Sequence, residues 1–131
     1  MRSKKELREN HGVSLKDLSE EVHNLAWEKG WHNKDEGEDA LIERACNNLH
    51  DEVCELHEAW RNNQLHELCD KAEKMKAHGI EPLTCIEEEF ADIFIRVLDN
   101  CLRLGVDIQS AVERKHAFNA TRETRHGGKR S

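Results

Sequence analysis

The chain has 131 residues and a formal net charge of −7, with 36% charged and 37% hydrophobic residues. That allows one modest core and excludes a second independent one. One proline, seven glycines and no tyrosine, set against abundant Glu, Leu, Ala, Lys and Arg, favour helices and nearly exclude an all-β fold. No apolar run approaches the ~18 residues of a membrane span, and the start Met1-Arg2-Ser3-Lys4-Lys5-Glu6 leads into no signal-peptide segment. The expectation is a cytoplasmic protein with no membrane partner.

Residues 1–13 read as an N-terminal extension. Ser14 can cap the first helix, in which Leu15, Leu18, Val22 and Leu25 recur at helical intervals before Gly30. Ala26 shares their face and Trp27 falls off it. A polar linker over 31–37 precedes a second helix carrying Ile42, Ala45, Leu49, Val53, Leu56 and Trp60. After a break at Asn62-Asn63, the residues Leu65, Leu68, Ala72 and Met75 predict a further helical stretch over 65–77, closed by Gly79 and Pro82. Thr84 and Glu87 form a capping-box pattern for a helix that runs to about Leu104, before Gly105. Its apolar positions Ile86, Phe90, Ile93, Phe94, Ile95, Val97, Leu98, Cys101 and Leu102 cover more than half the circumference, too wide an arc for one neighbouring helix. Asp107 can cap a last helix, from Ile108 to about Arg122, and the Gly127-Gly128 tail over 123–131 is expected to be mobile unless a ligand or partner orders it. The pattern predicts an all-α bundle of four to five helices over 14–122, completed by oligomerisation as a homodimer or homotetramer.

Charge is divided along the chain. Residues 114–131 carry six basic residues against Glu123, a net of +5, which leaves −12 on residues 1–113. An acidic body argues against a nucleic-acid partner, because duplex affinity comes mainly from phosphate neutralisation. A basic end on such a body suits a phosphorylated small molecule whose charge is shared with a metal. The five cysteines, at 46, 54, 69, 85 and 101, include no C-x-x-C pair and read as reduced thiols.

Two acidic pairs carry the chemistry: Glu52-Val53-Cys54-Glu55 and Glu89-Phe90-Ala91-Asp92. On a helix the i,i+3 spacing puts two carboxylates one turn apart, so two facing helices could offer four oxygen ligands to Mg²⁺, a hard cation that keeps waters a substrate's phosphates can replace. Spacing alone is not selective, since nine Asp/Glu pairs of this chain have it. Lys115, Asn119 and Arg122 share one face of the last helix and could grip phosphate or sugar oxygens, or Lys115 and Arg122 could be ordinary solvent-facing charge. Trp27 and Trp31 could stack on a nucleobase or pack under the linker or at a dimer interface, whereas Trp60 lies on the core stripe.

The strings Asp51-Glu52-Val53-Cys54-Glu55-Leu56-His57-Glu58-Ala59 and Glu88-Glu89-Phe90-Ala91-Asp92-Ile93 resemble the paired acidic motifs of the MazG-like all-α nucleoside triphosphate pyrophosphohydrolases. The resemblance continues through Leu104-Gly105-Val106-Asp107-Ile108, the K-x-x-x-N-x-x-R pattern of Lys115 to Arg122, and His126-Gly127-Gly128-Lys129. It implies cleavage of a nucleoside triphosphate to monophosphate and pyrophosphate, with Mg²⁺, or Mn²⁺ in its place, held by Glu52, Glu55, Glu89 and Asp92 and the general base among those carboxylates. Asp51 stands where many members carry glutamate, and the connection from Glu55 to Glu89 is long for a compact member.

The alternative is a non-catalytic helical interaction module using its wide apolar face, with zinc at Cys46, His50, Cys54 and His57 on one side of the second helix. One straight helix supplies only two neighbouring ligands, so core cysteines beside interfacial histidines are the simpler expectation there.

Overall fold

The computed structural model describes residues 14–33 and 35–122; the N-terminal extension 1–13 and the basic tail 123–131 lie outside the described residues. Among the described residues, five helices follow one another: α1 (Leu15–Glu28), α2 (Glu38–Arg61), α3 (Ala72–Ala77), α4 (Cys85–Arg103) and α5 (Ile108–Ala120). The fold is all-α, with no strand among the described residues.

The helix starts follow the capping residues. Ser14 Oγ accepts from the Asp17 amide at 3.0 Å, Asp107 Oδ1 accepts from the Ser110 amide at 3.0 Å, and Thr84 with Glu87 closes a complete capping box. The helix ends are built alike. After α1, Gly30 adopts φ +73° and the Trp31 amide reaches back to the Ala26 carbonyl at 2.9 Å, a reversal that decides where Trp31 lies. After α2, Asn63 takes the same left-handed conformation at φ 56°, and the Gln64 amide bonds to the Ala59 carbonyl at 2.9 Å.

The stretch over 65–77 is helical only in its last six residues, as α3. Three backbone hydrogen bonds run across the segment instead of along it: Cys69 N–H to Leu83 O, Cys85 N–H to Glu67 O and Ile86 N–H to Leu65 O, at 2.8–2.9 Å. Leu68 thereby forms an antiparallel bridge with Thr84. The left-handed Asn63 turns the chain back toward the start of α4, where the Cys69 amide reaches the Leu83 carbonyl and the Leu65 and Glu67 carbonyls accept from the Ile86 and Cys85 amides, so these groups are satisfied across the segment and not by a helix.

Helix α4 packs against both α1 and α2, and α5 leans on α1. Leu98 on α4 is fully buried, and the small residues Ala26, Ala45 and Ala59 are buried on α1 and α2. Polar ties hold α1 and the linker after it to α4: Ser19 Oγ–H on α1 donates to the Leu98 carbonyl at 2.7 Å, and Arg103 Nη2 donates to the carbonyl of Asn33 in the linker at 3.2 Å. The core is nevertheless narrow. Val53 and Trp60 on α2 and Phe90, Phe94 and Ile95 on α4 stay exposed, which accords with the wide apolar arc read from α4. Trp60 is not a core residue of the single chain: it is 59% exposed and stacks on His57 with ring centroids 5.5 Å apart. Cys46 and Cys54 are likewise exposed, not core; the buried positions of α2 are Ala45 and Ala59.

Candidate metal centre

The four motif carboxylates converge. Glu52 and Glu55 sit one turn apart on α2, Glu89 and Asp92 one turn apart on α4, and the packing of these helices brings one oxygen of each within 4.8 Å of the others. Glu52 Oε1 accepts from Arg96 Nε at 3.2 Å, while Glu52 Oε2 and Glu89 Oε2 are buried with no hydrogen-bond partner. Two orphaned carboxylate oxygens in one acidic cluster fit a hard divalent cation, since a buried anion left unpaired is otherwise costly.

Electrostatics reflect that crowding. Burial, and then the charges of Glu55, Asp92, Glu88 and Glu52, raise Glu89 to about 7. Burial and the adjacent Glu52 also raise Glu55 and Asp92 above the ordinary carboxylate range. Each group is held where its charge is disfavoured, the condition a bound cation relieves.

Two cavities meet at the cluster. One, of about 490 Å³, is lined by Glu52, Glu55, Asp92, Asp99 and Arg96 together with Trp31, Val22, Leu25, Ala26 and Ile95. It therefore joins a charged end to an apolar wall, at a volume typical of small-molecule sites. The other, of about 390 Å³, reaches Glu55 and Glu89 from the side of the 62–71 segment, where Lys71 Nζ pairs with Glu88 Oε1 at 2.7 Å.

The remaining expected residues are dispersed. Trp31 is 64% exposed and lines the first cavity. Trp27 does not line it; its ring lies against His23, His32 and the Arg103 guanidinium. Lys115 and Asn119 line a separate groove along α5 with Ile108, Ala111, Val112 and His116, and Lys115 Nζ stands 5.1 Å from the Phe118 ring centre. Arg122 follows the end of α5 and is exposed. Cys46, His50, Cys54 and His57 are all exposed and, among the described residues, do not gather into a group of three ligands for one ion.

A second cluster, His23, His32 and Asp99, escaped the sequence reading. His23 Nδ1 lies 2.9 Å from Asp99 Oδ1, and His32 Nε2 lies 2.7 Å from Asp99 Oδ2 without the alignment of a regular hydrogen bond. The indole N–H of Trp27 donates to His23 Nε2 at 2.9 Å. An indole can only donate, so His23 Nε2 accepts, Nδ1 carries the proton and points it at Asp99. That tautomer gives a cation no lone pair at Nδ1, and the cluster acts as a strut tying the end of α1 and Trp31's turn to α4. Its signal was present on α4, where Glu89, Asp92, Arg96 and Asp99 are spaced by three, four and three along one face.

Compared with protein-family models, curated proteins and solved structures, the chain finds no match.

Proposed function

We propose that the protein is a Mg²⁺-dependent nucleoside triphosphate pyrophosphohydrolase of the MazG-like kind, releasing a nucleoside monophosphate and pyrophosphate. The observation that carries this reading is the convergence of Glu52, Glu55, Glu89 and Asp92 from two helices, with two of their oxygens left without partners. These four side chains would hold the metal. Mg²⁺, when bound, neutralises phosphate oxygens and makes a water a better nucleophile.

The chain's own residues divide the remaining tasks. Trp31, Val22, Leu25 and Ile95 form an apolar wall in the same cavity, suited to a base or sugar face. A carboxylate of the cluster accepts the proton of the attacking water. Burial and mutual repulsion raise Glu55, Glu89 and Asp92 as proton acceptors, Glu89 to about 7. The exposed Phe90, Phe94, Val53 and Trp60 support a homo-oligomer that covers them.

Glu52→Gln and Asp92→Asn test the reading, because each deletes a ligand charge at nearly constant volume. Both variants should keep the helical circular-dichroism spectrum while Mg²⁺ affinity and turnover fall together. Wild-type turnover by both at limiting Mg²⁺ would defeat the assignment.

A further inference from the structure

Among the described residues, the cavity that joins the carboxylates to the Trp31 wall is lined by one cation, Arg96. Arg96 follows Asp92 by one helical turn on α4, so the same face of one helix presents an anion to the cluster and a guanidinium beside it. The guanidinium is held by one edge. Its Nε donates to Glu52 Oε1 at 3.2 Å, and its two Nη nitrogens make no hydrogen bond among the described residues. The Arg96 side chain is 44% exposed, whereas Glu52 beneath it is only 12% exposed.

An ordinary surface ion pair would satisfy both partners. Here Glu52 keeps an unpartnered Oε2 and the arginine keeps a planar fork of donors, side by side in a cavity. A planar fork fixed through Nε is suited to gripping phosphate oxygens with both Nη groups. Lys115 and Asn119, the cationic and amide side chains expected at this task, line a groove on α5 that contains none of the four carboxylates.

Resting on the pyrophosphohydrolase reading above, we propose that Arg96 is a phosphate-gripping residue of this enzyme, donating from its Nη nitrogens to the substrate's phosphate oxygens while Nε keeps hold of Glu52. When water attacks the α-phosphorus, a new P–O bond forms and the bond to the α,β-bridging oxygen breaks. Both electrons of the broken bond leave with pyrophosphate, and the water's proton passes to a carboxylate. Negative charge builds on the phosphate oxygens during that exchange, and a fixed guanidinium stabilises it.

The test uses calorimetry on the full chain with two probes: Mg²⁺ alone, and a non-cleavable α,β-methylene nucleoside triphosphate with Mg²⁺. Arg96→Ala removes a cation beside four carboxylates, so affinity for Mg²⁺ alone should stay level or rise. Affinity for the analogue should fall at least about tenfold, the loss of one charge-assisted hydrogen bond or more. Arg96→Lys should recover part of that loss, since it restores the charge but not the fork. Opposite signs for the two probes separate this role from a purely structural one. If both affinities fall in parallel in both variants, Arg96 only props Glu52 and the proposal is overturned. Unchanged analogue affinity in Arg96→Ala overturns it too, while wild-type turnover keeps the pyrophosphohydrolase reading standing. A wild-type protein that binds Mg²⁺ but neither binds the analogue nor releases pyrophosphate overturns both.

Discussion

Replacing Glu89 by Gln should make the metal-free protein more stable while depriving it of metal. Glu89 titrates at about 7, against an ordinary value of 4.5, because it is buried and then repelled by Glu55, Asp92 and Glu88. A carboxyl group raised in this way is protonated more readily folded than unfolded. Its favourable contribution is complete below about pH 4.5 and is lost as the pH climbs through 7. At about 1.4 kcal/mol per pH unit the rise sets a ceiling of ~3 kcal/mol, which screening by nearby solvent reduces to ~1–2 kcal/mol. Glu89→Gln removes that penalty. In EDTA at pH 8 the variant should unfold at a temperature several degrees above wild type, and at pH 5 the two should nearly coincide. Saturating Mg²⁺ should reverse the order at pH 8, since a cation at a hundred times its dissociation constant contributes ~2.7 kcal/mol to the protein that binds it. Thermal unfolding by circular dichroism at the two pH values, with EDTA or Mg²⁺, reads all four quantities. A Glu89→Gln variant less stable than wild type at pH 8 in EDTA would refute the reasoning, because the carboxylate would then be held by favourable partners.

Leu98→Ala should cost about 2–5 kcal/mol in denaturant unfolding, as it empties the fully buried position between α4 and its neighbours. Lys115→Ala should leave Mg²⁺ affinity unchanged; a matching loss of nucleotide affinity would bring the α5 groove into the substrate site, and unchanged kinetics would leave Lys115 as surface charge. Sedimentation at micromolar concentration should show an oligomer, and a stable monomer that binds no apolar dye would show that the exposed α2 and α4 side chains need no cover.

The sequence carried the helices well because their boundaries are written in local chemistry. Ser14, Thr84 with Glu87, and Asp107 all cap as their side-chain oxygens allow, and Gly30 and Gly105 reverse the chain where a left-handed residue is needed. It misled over 65–71, where apolar spacing suits a helix but the amides of Cys69, Cys85 and Ile86 pair across the segment with partners up to 21 residues away. No local pattern reports such pairing. The same limit applies to the site. The i,i+3 spacing placed each acidic pair on one face, yet convergence of the four carboxylates depends on how α2 meets α4, and the resemblance supplied that choice among nine equivalent pairs. Arg96 and Asp99 were legible in principle, since they extend the Glu89 and Asp92 face of α4. The His23 and Trp27 contribution depends on α1 docking against that face.

The most direct measurement is incubation of the wild-type chain with a panel of ribo- and deoxyribonucleoside triphosphates and Mg²⁺, following products by phosphorus NMR. Pyrophosphate and nucleoside monophosphate should appear in equal amounts for at least one nucleotide, stop on addition of EDTA, and be absent with Asp92→Asn. No pyrophosphate from any nucleotide, or product formation that Asp92→Asn leaves intact, would contradict the assignment of the four carboxylates to this reaction.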